Sequence, residues 1–485
     1  MSQKLNVEPK IVWKYFHEIT QVPRPSKKEG KIIAYLEAFA ATHHLPVKKD
    51  RAGNILIAKA ATKGLENLPV VILQSHIDMV CEKNSDTVHD FENDPIETVI
   101  DGEWLRAKGT TLGADNGIGM AAELAILASD DIEHGPVECL FTVDEETGLT
   151  GANALEKGFM TGKILLNLDS EDEGEIFIGC AGGKNTTATF AVKQLSVSDA
   201  YDYFKVEVKG LRGGHSGCDI HNGQGNAIKI LARFFYYIRN LPQCVLCAID
   251  GGNLHNAIPR EASAVIGIPH AAKEAVMVHL NEFAAIIANE LKHVDKDVRI
   301  TMQSAEKPEY QIDNDLARRL IDALIACPHG VMAMSHEIEG LVETSTNLAS
   351  VKMLENSRIV IVTSQRSSVE SEKNAVADMV NAVFTLAGAE VQHGDGYPGW
   401  APDRSSKILQ AALETYRRLF GKDPAIKAIH AGLECGLFLE KYPGLDMISF
   451  GPTLRGVHSP DERIEIATVA MWWSHLLELL KNIPI

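Results

Sequence analysis

No apolar run in this sequence approaches the roughly 20 residues that a membrane-spanning helix needs. The opening stretch, Met1-Ser-Gln-Lys-Leu-Asn-Val-Glu-Pro-Lys10, lacks the apolar centre of a secretory leader. Long Lys/Arg clusters are missing too. The 47 basic residues stand against 65 acidic ones, and the net charge of −18 is spread along the chain. That balance disfavours nucleic-acid and anionic-membrane partners. Cysteine is sparse and scattered, with eight residues at positions 81, 139, 180, 218, 244, 247, 327 and 435. Cys244 and Cys247 have C-x-x-C spacing, but in an apolar, strand-like run with no second pair. Reduced, buried thiols in a cytoplasmic chain are therefore expected, and a disulfide framework is not. Short repeats, low-complexity tracts and flexible linkers are absent as well.

What is present is the composition of a large globular enzyme: 485 residues, 45% hydrophobic and 23% charged. That length exceeds one ordinary core, so at least two domains are expected. Helical spacing predicts helices over Pro9–Thr20 and Lys27–His43, separated by Val22-Pro-Arg-Pro-Ser26. A hairpin follows over Val47–Asp50 and Asn54–Ala58. Continuous apolar runs then predict buried strands at Pro69–Ser75, Val137–Val143 and Ile164–Leu168, with a helix over Met120–Ala128 between the first two. Strands of that kind alternating with helices imply a mostly parallel sheet covered on both faces.

After Gly182-Gly183 the texture changes to alternating, β-branched strands (Thr186–Val192, Tyr203–Val208, Val245–Asp250, Ala262–Ile268, Val298–Gln303 and Arg358–Ser364). The helices Ile228–Arg239 and Glu274–Leu291 lie among them, which reads as α+β with an antiparallel sheet. Past Tyr397-Pro-Gly-Trp-Ala-Pro402 the α/β pattern resumes, with a helix at Ser406–Phe420, strands near Ala425–Ile429 and Met447–Phe450, and a closing helix from Ile466. The expected organisation is an α/β catalytic domain of residues 1–183 and 399–485, with a lid or dimerisation domain, 184–398, inserted into it.

The stretch Gly109-Thr-Thr-Leu-Gly-Ala-Asp115-Asn-Gly-Ile-Gly-Met120 places one carboxylate among four glycines. An isolated Asp just ahead of a helix reads as a cap. Asp115 has company, however. His76, Glu145, Glu146 and Asp169 each sit at the end of a predicted strand or on the loop that follows, and His458 occupies a loop near the far end of the chain. Ligands bind at that edge of open α/β sheets. Two histidines and three carboxylates, one of the two glutamates among them, suit borderline-hard divalent ions such as zinc, manganese or cobalt. Asp78, two residues after His76, can reach its ring and fix the tautomer. Three successive acids, Asp144-Glu145-Glu146, are tolerated either in solvent or against a cation, and spacing does not say which of Glu145 and Glu146 would be ligand and which base.

Ser75-His-Ile-Asp-Met79, Gly113-Ala-Asp-Asn-Gly117, Asp144-Glu-Glu146, Asp169, Gly213-Gly-His-Ser-Gly217 and Gly456-Val-His-Ser-Pro460 occur in one order along the chain. In that order they resemble the co-catalytic zinc peptidases, the family that includes carnosinases and carboxypeptidase G. The match is densest with the family's bacterial dipeptidases acting on Xaa-His. Asp101-Gly-Glu-Trp104 and Ile429-His-Ala-Gly-Leu-Glu-Cys-Gly-Leu-Phe438 contribute to it. The resemblance implies two divalent metal ions per subunit, zinc first, with cobalt or manganese able to substitute. Asp115 would bridge them, with Glu146 and His458 on one and His76 and Asp169 on the other.

It further implies that Glu145 is the general base acting on a metal-bridging water, that Asp78 orients His76, and that the Asp115–Asn116 peptide is cis. His215 would contact the oxyanion and Arg366 the substrate carboxylate, with Asn256 and Gly432 near the same pocket. The expected enzyme is a cytoplasmic, homodimeric metallo-dipeptidase cleaving Xaa-His dipeptides, β-alanyl-histidine included, with the inserted domain closing over short substrates. An aminoacylase or tripeptidase on the same metal centre is the nearer alternative. A non-catalytic binding protein is the distant one, because no ligand or base is missing.

Overall fold

The computed structural model describes residues 7–241, 244–355 and 357–485. Residues 1–6 of the opening stretch lie outside it. The chain forms two compact units. Of the described residues, the first comprises those up to Gly179 with Pro402–Ala428 and Leu433–Ile485, and the second those of Cys180–Ala401 and Ile429–Gly432.

The first unit is built on an eight-stranded sheet. Its order is Val47–Lys49, Ile55–Lys59, Val137–Thr142, Val71–His76, Ile164–Asn167, Asp446–Ser449, Glu175–Cys180 and Ala425–Ile429. The four central strands run parallel: Leu73 pairs with both Cys139 and Leu166, and Met447 with Leu165. Antiparallel partners close the sheet on the hairpin side and beyond Asp446–Ser449. Val71–His76, Val137–Thr142 and Ile164–Asn167 are buried along their whole length, which is why they read as continuous apolar runs rather than alternating ones. The parallel arrangement brings their carboxyl ends to one edge, with His76 opposite Thr142 and Gln74 opposite Asn167.

Helix Ala114–Ala128 begins a turn and a half before the expected Met120, so Asp115 lies inside the helical span rather than ahead of it. Its conformation is nonetheless non-helical (φ −80°, ψ 109°), as is that of Asn116 (φ −104°, ψ 35°). Glycine's poor helix propensity hid this start. From Asn116 to Leu127 every residue is buried, the all-round burial of a central helix. Lys10–Thr20 packs against it through an apolar face that includes Val12, Trp13, Phe16 and Ile19. A separate four-stranded sheet joins the hairpin Leu454–Arg455 and Arg463–Glu465 to Trp104–Ala107 and Thr98–Asp101.

The second unit carries a nine-stranded antiparallel sheet. Val342–Leu354 lies at its centre, between Val245–Gly251 and Arg358–Ser367, and also pairs with Gly330–Met334. Helices Ala227–Ile238, Lys273–Glu290, Asn314–Ala326 and Glu370–Leu386 contribute to its core, which includes Phe190, Phe204, Phe234, Phe283 and Phe384. Among the described residues no disulfide links the eight cysteines, and no helix is long and apolar enough to cross a membrane.

Candidate metal centre

The carboxyl edge of the first unit's sheet gathers every ligand candidate. His76 ends strand Val71–His76, Glu145 and Glu146 follow Val137–Thr142, and Asp169 follows Ile164–Asn167. His458 arrives from the loop of the hairpin Leu454–Arg455 and Arg463–Glu465. His76 Nε2 lies 3.0 Å from Asp115 Oδ1 and 3.5 Å from Asp169 Oδ1. His458 Nε2 lies 3.1 Å from the other Asp115 oxygen and 3.1 Å from Glu146 Oε2. Two donor triplets result, His76/Asp115/Asp169 and Asp115/Glu146/His458, and they share one carboxylate.

These residues fit a pair of cations. Two ligand atoms about 2.0–2.1 Å from one tetrahedral zinc stand about 3.3 Å apart, and the four separations bracket that value. Glu146 Oε1 is buried with no hydrogen-bond partner, a costly state for an acceptor unless something positive faces it. Electrostatics points the same way. Burial pushes the Asp115 carboxyl up, yet His458 and His76 hold it far below the ordinary range. Burial, with the neighbouring Asp169, Glu434 and Glu146 carboxylates, holds the Glu145 carboxyl well above its ordinary value, against the pull of His76. So many acids converging on one edge repel each other and favour a cationic occupant.

Asp78 proves to be a hub. One of its oxygens accepts from Glu145 N (3.0 Å) and faces His76 Nδ1 at 3.3 Å, and the other accepts from Glu146 N (3.2 Å) and Ser26 Oγ (2.7 Å). Burial opposes its charge, but these partners bring the carboxyl down to about 2. One buried carboxylate thus stands beside the His76 ring and fixes the backbone of both glutamates. Asp144 leaves the acidic triplet. It turns at φ 50° and accepts from the Thr147 and Thr150 hydroxyls.

The glycines around Asp115 have a packing reason. Arg24, fully buried, donates to the carbonyls of Ile77, Asp78 and Gly113. A Cβ on Gly113 (φ 69°) would meet Arg24 Nη2 at 2.6 Å and Met79 Sδ at 2.9 Å. Asn116 donates to Asp169 Oδ1 and to Leu168 O, and the Asp115–Asn116 peptide is cis as expected. Glu434 is buried and accepts from Gln74 (2.6 Å) and Thr142 (2.9 Å); burial pushes its carboxyl up to about 8.

In the second unit, His215 Nδ1 accepts from the backbone N–H of Gly217 (3.2 Å) and Cys218 (3.1 Å). That pattern places the ring proton on Nε2. Burial and then the charge of Arg366 lower its pKa, so the neutral donor form is favoured. Arg366 is buried, donates to Tyr397 OH (3.0 Å), and leaves Nε buried without a partner. No ion pair to Arg366 is found among the described residues. A Cβ on Gly432 would meet the Tyr397 ring at 2.8 Å, so Gly432 makes room for the tyrosine beside Arg366. Asn256 supports the His215 loop through its backbone, its carbonyl accepting from Ser216 N (2.8 Å). His430 Nε2 bonds Ser345 Oγ at 2.7 Å, and burial followed by Arg366 pushes its pKa down to about 3. Tyr397 opens the boundary stretch Tyr397–Pro402, and a Cβ on Gly183 would also meet its ring, at 2.6 Å.

A family model described as peptidase family M20/M25/M40 matches residues 72–482. The cytosol non-specific dipeptidase of Escherichia coli (strain K12) is 44% identical over 484 residues, covering 100% of both chains. The crystal structure of aminoacylhistidine dipeptidase from Vibrio alginolyticus has a TM-score of 0.93 at 44% identity, covering 100% of this chain and 98% of that one. Human carnosine dipeptidase 1 shares the fold, with a TM-score of 0.51 at 13% identity, covering 97% of this chain and 95% of that one.

Proposed function

For this chain, which belongs to peptidase family M20/M25/M40 and is a metallo-dipeptidase, we propose a dinuclear centre in which Asp115 bridges two divalent cations. Glu146 and His458 complete one position, His76 and Asp169 the other, and zinc is the metal proposed. The observation that carries this is the Asp115 carboxylate, one oxygen on each histidine, shared by both donor triplets. Cations held there supply Lewis acidity toward a carbonyl and acidify a water toward neutral pH.

Glu145 takes the proton of the attacking water and passes it to the leaving amine. A positioned carboxylate that is not itself a metal ligand can both accept and return that proton. Asp78 keeps Glu145, Glu146 and the His76 tautomer in register through the contacts described above. His215, with Nδ1 occupied, offers Nε2–H to the developing oxyanion. Arg366, buried beside Tyr397, pairs with the substrate's free carboxylate. Asn256 and Gly432 shape the surroundings of His215 and Tyr397.

The substrates proposed are dipeptides with both termini free, Xaa-His among them. A relative named as a non-specific dipeptidase and one named for aminoacylhistidine are each 44% identical to this chain, which supports a broad first position that includes Xaa-His. The name of the Escherichia coli relative supports a cytosolic setting, and a homodimer is the assembly proposed from the family resemblance.

The test is hydrolysis of β-alanyl-histidine, other Xaa-His and Xaa-Gly dipeptides, N-acetyl amino acids and tripeptides. Each is run as purified, after chelation, and after adding back zinc, manganese or cobalt. Chelator-sensitive cleavage confined to dipeptides is expected; preference for acylated amino acids or tripeptides would move the substrate away from this reading. Arg366→Ala should raise KM about 10- to 100-fold with a much smaller change in kcat, the effect of losing a charge-assisted hydrogen bond of about 1.5–3 kcal/mol. The loss should be confined to substrates with a free carboxylate. Equal loss on carboxyl-amidated dipeptides would remove the clamp.

A further inference from the structure

Glu462 reaches back from the hairpin loop that bears His458 to a turn nearly 350 positions earlier in the chain. One carboxylate oxygen accepts from Leu112 N (2.7 Å) and Gly113 N (2.9 Å), and the other from Ala114 N (2.7 Å) and Asp115 N (3.3 Å). The side chain is buried, with 2% of its surface exposed. Four successive amides at the start of helix Ala114–Ala128 thus find their acceptor in one remote anion, where a helix ordinarily relies on its own N-cap. On the carbonyl side of the same turn stands Arg24, donating to Gly113 O. The turn that presents Asp115 is therefore held between a buried cation on its carbonyl and a buried anion on its amides.

The hairpin meets Asp115 twice. His458 Nε2 faces the carboxylate at 3.1 Å, and Glu462, four residues on, accepts from the backbone amide of the same residue. The loop itself is fixed at its base, where Leu454 pairs with Ile464 and Arg455 with Arg463, and Arg463 pairs in turn with Arg106. Glu462 N donates to Ser459 O at 3.0 Å, which closes the loop between ligand and anchor. Moving Glu462 would rotate the turn at Asp115 and shift both of its oxygens together.

We infer that Glu462 is a positioning residue for both metal positions: it sets the orientation of the shared Asp115 carboxylate through its backbone while touching neither cation. The inference rests on the dinuclear reading above. It separates Glu462 from an ordinary ligand, because losing a terminal ligand empties one position, whereas misdirecting the bridge weakens both.

Glu462→Gln keeps the size but turns one acceptor into an NH2 group, setting a donor against two of the four N–H groups. Outer partners of metal ligands typically contribute 10- to 100-fold in affinity, so zinc affinity should fall by about that factor at both positions. The measurement is titration of the metal-free protein with zinc in competition with a chromogenic chelator. Circular dichroism and thermal melting of the same metal-free samples check the fold. Glu462→Asp, which keeps both acceptors but withdraws them by one methylene, should fall between wild type and Gln, and it decides the matter if the Gln variant does not fold. Wild-type affinity at either position in a folded variant would overturn the assignment. A wild-type chain that takes up no metal would instead bring down the dinuclear reading itself.

Discussion

Glu145→Gln is expected to retain both metal equivalents and lose turnover, with kcat falling about 10²- to 10⁴-fold. That is the range a positioned general acid–base contributes. The amide has nearly the shape of the carboxylate but cannot take a proton from water or return one to the leaving amine. Metal content should be spared because neither donor triplet built on Asp115 includes Glu145. The backbone N–H of residue 145 would still donate to Asp78, so the turn should keep its shape. KM should change little, since the substrate's carboxylate is assigned to Arg366. The checks are metal content per chain and steady-state kinetics on one dipeptide. Loss of metal together with activity would mean that Glu145 and Glu146 have exchanged roles. That assignment deserves the direct test because spacing left it open and His76, Glu145 and Glu146 also form a close donor group.

Asp115→Asn is expected to have the wider effect. A bridge needs an anionic oxygen on each side, and the amide offers one neutral oxygen and one NH2. Both positions should weaken by on the order of 100-fold or more, beyond the 10- to 100-fold of an outer partner, and activity should disappear at ordinary metal concentrations. A second readout needs no substrate. A ligand that binds only the folded chain raises its stability by about 4 kcal/mol when present at about 1,000 times its dissociation constant. Added zinc should raise the melting temperature of wild type and raise that of Asp115→Asn by no more than about a third as much, since a 100-fold weaker site at the same zinc concentration gains only about 1.4 kcal/mol. If the variant still held two zinc ions, the shared carboxylate would be elsewhere.

Much of this was legible because the catalytic sheet has the plainest sequence pattern a protein offers. Val71–His76, Val137–Thr142 and Ile164–Asn167 are buried on both faces, so they appear as apolar runs, and the polar residue ending each run stands out. His76, Glu145, Glu146 and Asp169 were visible for that reason. Their family resemblance then divided the roles that spacing could not.

The strand at the centre of the second unit's sheet, Val342–Leu354, has no plain strand pattern in sequence because its first half contains Thr344-Ser-Thr-Asn347, polar yet fully buried. Thr344 bonds Ser367, and Asn347 donates to Ala257 O. Only the fold supplies those partners, and without them the stretch reads as a loop. Asp144, first of the acidic run, accepts from the Thr147 and Thr150 hydroxyls, partners that an acidic triplet does not announce. Glu462 and Arg24 carried no local signal at all. Their partners are backbone atoms brought close by the fold, and backbone atoms have no letter in a sequence.

The central claim is that one carboxylate holds two cations, and a crystal of the zinc-loaded enzyme measured at the zinc absorption edge addresses it directly. The account predicts two anomalous peaks about 3.5–4 Å apart, the separation of two-metal sites. Each should contact one oxygen of Asp115, with His76 and Asp169 around one and Glu146 and His458 around the other. A single peak, or two peaks of which one does not touch Asp115, would contradict it.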